Sequence, residues 1–433
     1  MRIAAVDGLR GIAILGVVWH HAIADSWQTP ITIAGLTLAN NPLAANGWMG
    51  VNLFFFLSGL VLYLPYAAGQ RRMATRADAF QFLRHRAQRL MPLFYLSLII
   101  GFFFLARLDQ PQSWINFAAS LSLIFPFYSP AFLPPGNSVL WSLGTEIYFA
   151  LAMPLLLDLI ARLGLARVAV AAVVIGLAIR VLAFALVPAD ESNVNSLADT
   201  IFGRIDDFVL GMAAAALLVR RVRLPLLCVP LGAALLVAAP LLSDAWHAGW
   251  VPAWSQAITY SLINLGLLLT TNALLVRQNV AARALSIDVL RIPGIMCFSI
   301  YVWHAIVLRL YQAQAPTDDP LLRAAICLPV IALLAVASFT LIEFPGRSLR
   351  RLLSLPCAAR VLLVGAATLP HVIAREGGRP SIAESWRSAM SALGYWIPAY
   401  AGDDGAGWGS GKPLHISNPA HPVNRLATTR AHQ

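Results

Sequence analysis

Charge is scarce in this chain. Only 12% of its 433 residues are Asp, Glu, Lys or Arg, while 59% are hydrophobic, and the mean hydropathy is +0.71. Soluble domains carry about 25% charged residues, so the composition excludes an ordinary soluble enzyme and points to a polytopic membrane protein. Lysine is almost missing: Lys412 is the only one among 31 basic residues. The net charge of +11 is therefore an arginine charge. Membrane spans flanked by arginine loops produce such a total, and no nucleic-acid partner is expected. Cysteine is also rare. Cys228, Cys297 and Cys327 lie in apolar runs and Cys357 in a basic segment, without metal-ligand spacing. Free thiols and no metal site are expected. The opening MRIAAVDGLRGIAILGVVWHHA lacks a small-residue cleavage site and carries Asp7 and Arg10. It reads as a retained first span rather than a signal peptide.

What is present is a succession of apolar runs. Crossing a bilayer takes about 17–25 residues. Ten runs qualify, near 9–25, 48–66, 90–107, 139–161, 168–187, 201–219, 224–242, 255–276, 293–311 and 321–342. An eleventh run, 114–128, is shorter and contains Pro126. Loop charge decides its role. With ten spans and the N-terminus inside, one side receives Arg71, Arg72, Arg76, Arg84, Arg86 and Arg89. The same side then receives Arg162 and Arg167, Arg220, Arg221 and Arg223, Arg277, Arg283 and Arg291, and finally Arg347, Arg350 and Arg351. The other side receives Asp25, Asp109, Asp190, Glu191, Asp199, Asp244, Asp318 and Asp319. That is a positive-inside asymmetry, which a full span at 114–128 would reverse. The run is therefore re-entrant or interfacial. Trp48, Trp246, Trp250 and Trp254 fall where an outer aromatic belt would place them. The expected fold class is all-α: a polytopic membrane helix bundle of about ten spans plus one re-entrant or interfacial helix. One domain is expected over residues 1–360, with a Gly/Pro-rich, disordered tail over 361–433. No internal repeat stands out.

The first span aligns two ionisable groups. Eleven helical steps of about 100° bring His21 back to within about 20° of Arg10. The two stand about 16 Å apart along the axis, while His20 points about 80° away. Ionisable residues inside a span default to function. The plainer alternative makes Arg10 an inner-end anchor and His21 an interfacial residue. Further along, Gly50, Ser58 and Gly59 read as close helix packing. Arg86 and Arg89 share one helix flank and can grip a phosphate together; on their own, headgroup anchoring is the better reading. Glu146, well inside the fourth span, needs a partner or a polar cavity. Arg204 and Asp207 neutralise each other at i,i+3. His304, beside Tyr301 and Trp303, reads as a packing or hydrogen-bonding residue, and Glu343 as part of a helix stop.

Taken in order, seven segments resemble the membrane-bound acyltransferase family 3, whose members O-acylate bacterial cell-surface glycans and related acceptors. They are VDGLRGIAILGVVWHH, GVNLFFFLSGLVL, FLRHRAQRLMPLFY, LWSLGTEIYFALAMPLLL, GRIDDFVLGM, FSIYVWHA and IEFPGRSLRR, between about residues 5 and 350. The resemblance implies that Arg10 and His21 fill the family's pattern of an Arg, ten residues and a His. It implies that Arg86 and Arg89 handle the phosphates of an acyl-CoA donor, and that Glu146 joins His21 and Arg10 in the catalytic set. Many members have a second acid or Gln where this chain has GTEIYF. The implied partners are acyl-CoA as donor substrate with no bound cofactor, a glycan or lipid-linked sugar acceptor, and membrane lipids. The implied location is the bacterial inner membrane, multi-pass, with the N-terminus cytoplasmic. The tail holds no candidate for the hydrolase-like domain that some members append. The rival class is a transporter or flippase, which also buries Arg, His and Glu in a bundle but often shows repeats and broken helices.

Overall fold

The structure, a computed structural model, describes residues 3–23, 31–33, 36–38, 46–186, 194–277, 279–314 and 319–345. The tail expected at 361–433, Cys357 and Lys412 lie outside them. So do Asp25, Asp190, Glu191, Asp318, Arg347, Arg350 and Arg351. The chain divides into two units, Met1–Pro398 and Ala399–Gln433, and every described residue belongs to the first.

Helix α1 (Ala4–Ala22) opens the chain and is followed by an antiparallel hairpin of two short strands, β1 (Ile31–Ile33) and β2 (Leu36–Leu38). Next come α2 (Met49–Ala67), α3 (Arg76–Leu105) and the short α4 (Pro111–Leu121). After two 3-10 turns at 125–127 and 129–131 run α5 (Leu140–Leu163), α6 (Leu165–Leu186), α7 (Ile201–Val219), α8 (Cys228–His247) and α9 (Ser255–Arg277). The small helices α10 (Val280–Ala284) and α11 (Asp288–Ile295) lead to α12 (Cys297–Gln314) and α13 (Pro320–Ser338). A π-helical turn, Phe339–Glu343, ends the described chain but for two residues. The helix starts are written locally. Thr75 and Asp78 form a reciprocal capping box on α3. Asp319 accepts the Leu321 N–H at 2.9 Å, with Pro320 at the first helical position of α13.

The polytopic helical bundle stands, but the count of ten spans is corrected. Among the described residues seven helices are long and apolar enough to cross a membrane, or eight when the pair α11–α12, bent by 74°, is taken as one. The shortfall lies in α1 and α7. Both are 19 residues long. The first carries Asp7, Arg10, His20 and His21, and the second Arg204, Asp206 and Asp207. These are the polar inner helices. The outer ones, α6, α8 and α13, expose aliphatic side chains such as Val170, Val237 and Leu333, as a lipid-facing ring requires. The run at 114–128 does not cross. Its helix α4 has 11 residues, about 16 Å at 1.5 Å each, and lays Phe117 on Phe102 of α3 with centroids 4.0 Å apart.

Small residues bring the inner helices together. A Cβ on Gly59 of α2 would collide with the Phe208 carbonyl of α7, and one on Gly211 of α7 with the Phe56 carbonyl of α2. Phe208 stacks between Phe55, at 4.8 Å, and Phe149, at 4.0 Å. Helix α1 lies as closely on the segment after α9: Gly8 faces the Leu285 carbonyl, Gly11 the Leu290 carbonyl, and Gly294 the Asp7 carbonyl.

A buried ion network ties α6, α7 and α9. Arg180, which is 0% exposed, holds Asp206 in a two-pronged pair at 2.7 and 2.9 Å. Its remaining donors go to the Ala257 carbonyl at 3.1 Å, the Gly203 carbonyl at 2.5 Å and the Ser261 hydroxyl at 2.7 Å. Arg204 pairs with Asp199 at 2.9 Å and with Asp207 at 3.3 Å, and sits 3.8 Å from the centre of the Tyr260 ring. The neutralisation expected of Arg204 and Asp207 is present, though Asp199 is the nearer partner.

Candidate active site

Helix α3 carries Arg86 and Arg89 on the same rod as its apolar stretch, so both guanidiniums are delivered to the bundle interior rather than to a loop. There Arg86 Nη2 donates to Glu146 Oε1 of α5 at 2.6 Å, with side-chain exposures of 13% and 18%. The Ser58 hydroxyl of α2 donates to the same oxygen at 3.1 Å. Ser58 is therefore more than a packing residue. Glu146 has both things a buried acid needs, a cationic partner and a polar cavity.

That cavity, about 70 Å³, is lined by Arg10 of α1, Ser58 of α2, Arg86 and Arg89 of α3, Glu146 of α5 and Tyr301 of α12, among others. Four of the five expected site residues thus meet at one place. The fifth, His21, is not among the lining residues. It stands further along α1, against His304 of α12, with ring centroids 5.1 Å apart. Arg10 faces the cavity beside Cys297, Phe298 and Tyr301, and His21 faces His304. Both therefore look onto one stripe of α12, where residues three and four apart line up. Tyr301 joins the two regions: it lines the cavity, and its ring lies 5.4 Å from that of His304.

His21 is half-buried, and its Nδ1 lies 2.9 Å from the Val17 carbonyl. A carbonyl only accepts, so Nδ1 holds the hydrogen and Nε2 is the basic nitrogen of the neutral ring. His20 stacks edge-on to His21 at 5.1 Å. Among the described residues no group of three or more His, Cys, Asp or Glu is placed to hold a metal ion.

Two residues were undervalued by sequence. His304, read as a packing or hydrogen-bonding residue, is 0% exposed and also sits against His21. Glu343, read as part of a helix stop, turns inward on the π turn and accepts from the Ser299 hydroxyl. The neighbouring Phe344 ring lies 5.9 Å from the Arg89 guanidinium. Spacing on one helix could not have paired α1 with α12. The only available signal was that each of these residues is ionisable and flanked by apolar sequence.

Comparison with known proteins agrees with this architecture. The family described as "Acyltransferase domain", acyltransferase family 3, matches residues 3–342. A curated relative, "Protein 2 in picA locus" of Rhizobium radiobacter, is 32% identical over 99 residues, which is 23% of this chain and 44% of that protein. The chain thus spans less than half the length of that relative. No solved structure matches. With the family match running from the first described residue to the π turn, the chain belongs to the acyltransferase family 3.

Proposed function

We propose that the protein is an integral membrane O-acyltransferase that moves a short acyl group, acetyl in the first instance, from acyl-CoA to a hydroxyl of a cell-surface glycan or lipid-linked sugar. The observation that carries this reading is the convergence of Arg10, Arg86 and Arg89 on one cavity with a single lining carboxylate, Glu146. Such an excess of guanidinium suits a donor rich in phosphate, which Arg binds through charge-assisted, often paired hydrogen bonds. Arg86 Nε is buried and has no hydrogen-bond partner among the described residues, so a donor hydrogen remains for an incoming oxygen. Glu146 holds Arg86 in place meanwhile.

In this reading the donor enters from the cytoplasmic side, where the arginine loops lie by the positive-inside rule. The N-terminus is cytoplasmic and the membrane is a bacterial inner membrane. The thioester arm runs along the α1–α12 seam past Tyr301 towards His21, about 16 Å from Arg10 along the helix. His21 Nε2 takes the proton of the acceptor hydroxyl, and the acceptor oxygen attacks the thioester carbonyl. The C–S bond breaks, and the proton passes to the departing thiolate, leaving free CoA and an ester. General-base assistance of this kind contributes about 10² to 10⁴ in rate.

The test is acetyl-labelled CoA supplied to membranes containing the protein and its native acceptors. The expected result is thiol release together with labelled glycan, lost in His21→Ala and retained in His20→Ala. Full activity in His21→Ala would overturn the mechanism. Label accumulating inside vesicles without thiol release would instead favour a carrier.

A further inference from the structure

Two buried Arg–carboxylate pairs in this bundle are built differently. Arg180 meets Asp206 with two nitrogens, at 2.7 and 2.9 Å. Its Nε is committed as well, to the Ala257 carbonyl at 3.1 Å. That pair is closed. Arg86 meets Glu146 through one hydrogen bond among the described residues, Nη2 to Oε1 at 2.6 Å. Its Nε lies on the same edge of the guanidinium as Nη2. This Nε is buried and has no hydrogen-bond partner among the described residues. Carboxylates frequently take both nitrogens of such an edge. A small turn of the Glu146 carboxylate would bring Oε2 to Nε and close this pair too. A buried donor left unpaired is costly, so something must oppose that turn.

Ser58 opposes it. Its hydroxyl donates at 3.1 Å to Oε1, the same oxygen that Arg86 holds. Helices α2, α3 and α5 thus meet at one atom, and Oε1 is tethered to α2 as well as to α3. The tether has a firm base. Gly59, the next residue, abuts the Phe208 carbonyl of α7, where any Cβ would collide. Helix α2 therefore cannot follow a turning carboxylate. Ser58, Arg86 and Glu146 all line the cavity together with Arg10 and Arg89. The structural pair in the bundle is closed, and the pair at the site is held open.

We propose that Ser58 is a positioning residue for donor binding: by holding Glu146 Oε1 it keeps the Arg86–Glu146 pair one-pronged, which reserves Arg86 Nε for a phosphate oxygen of the donor. Without the hydroxyl, the carboxylate turns and closes on Arg86, and the reserved hydrogen goes to Glu146 instead. The donor then loses one charge-assisted hydrogen bond, although every arginine of the cavity is still in place. The effect is confined to donors that carry phosphate, because it acts through a guanidinium and not through the acyl arm. This inference rests on the acyl-CoA reading of the cavity.

The experiment measures CoA binding by the purified protein in detergent, with thermal unfolding as the folding control. It compares wild type, Ser58→Ala, Ser58→Thr, Arg86→Gln and the double variant Ser58→Ala/Arg86→Gln. Ser58→Ala should weaken CoA binding about tenfold to a hundredfold, the worth of one hydrogen bond to a charged group. Ser58→Thr, which keeps the hydroxyl, should restore most of the affinity. The double variant should bind no more weakly than Arg86→Gln, because one residue acts through the other. Thiol release by membranes gives a second readout. Ser58→Ala should raise the KM for acetyl-CoA rather than lower kcat. It should leave the KM for acetyl-pantetheine, a donor without phosphates, where it was. Wild-type CoA affinity in a folded Ser58→Ala would overturn the proposal. So would an equal rise in KM for acetyl-pantetheine, or losses that multiply in the double variant. A wild type that neither binds CoA nor releases thiol would instead refute the acyl-CoA reading.

Discussion

Glu146→Gln should destabilise the empty protein and make it depend on its donor. The carboxylate sits 2.6 Å from Arg86 and accepts from Ser58 at 3.1 Å. It also acts electrostatically on Arg89 and Arg10. Glutamine preserves shape and acceptor but deletes the charge. The cavity is then lined by Arg10, Arg86 and Arg89 with no lining carboxylate. Removing one partner of a buried pair costs 3–5 kcal/mol because the other charge is stranded. Both side chains keep some exposure, 13% and 18%, so the lower end applies: about 3 kcal/mol. Arg86→Gln should cost less, since Glu146 would retain two nearby cations. A phosphate-bearing ligand replaces the missing negative charge, and a ligand at a hundred times its Kd stabilises the folded state by about 2.7 kcal/mol. CoA should therefore restore most of the loss in Glu146→Gln. The assay is thermal unfolding in detergent with and without CoA. Wild-type stability of Glu146→Gln without CoA would refute the reasoning. So would an Arg86→Gln variant that is the less stable of the two.

Other outcomes follow from the same geometry. Gly211→Leu would push α7 off the α2 backbone at Phe56; overpacking costs about 1–3 kcal/mol, and more here because backbone must move, which unfolding in detergent will show. Asp206→Ala strands the two-pronged Arg180 in a fully buried setting and should cost about 3–5 kcal/mol, whereas replacing the exposed Asp158 of the Arg162 pair should cost at most about 1 kcal/mol. Cys297 is half-buried and lines the cavity. With the other cysteines replaced, a small thiol reagent should modify it, and CoA should slow the modification; unchanged labelling would place the donor elsewhere.

The helices were legible because apolar length and helix punctuation are local properties. Ile201–Val219 matches its expected bounds, and α2 lies within a residue of them at each end. Span number was less legible. Hydropathy cannot distinguish a lipid-facing run from a core helix whose charges are neutralised by neighbours, and that neutralisation is tertiary. Arg180 illustrates the point: it passed unnoticed in an apolar run, yet it anchors Asp206. Helical arithmetic put Arg10 and His21 on one stripe, because the period of one helix is a sequence property. Which helix that stripe would face is not, so His304 and Glu343 were given only local readings, as a packing or hydrogen-bonding residue and as part of a helix stop. The 74° bend before α12 falls inside the apolar run expected near 293–311, just after Pro293–Gly294, a turn signal that the run's apolar length outweighed.

The close contacts of α1 at Gly8, Gly11 and Gly294 key the azimuth of that rod. A helix touching its neighbour through bare backbone cannot roll without driving side chains into carbonyls. Arg10 and His21 ride on this same rod, so any roll would swing both away from α12 together. A single methyl group added at Gly11 could thus silence the protein while leaving every ionisable residue in place, and loss-of-function substitutions there would reflect misaimed chemistry rather than missing chemistry.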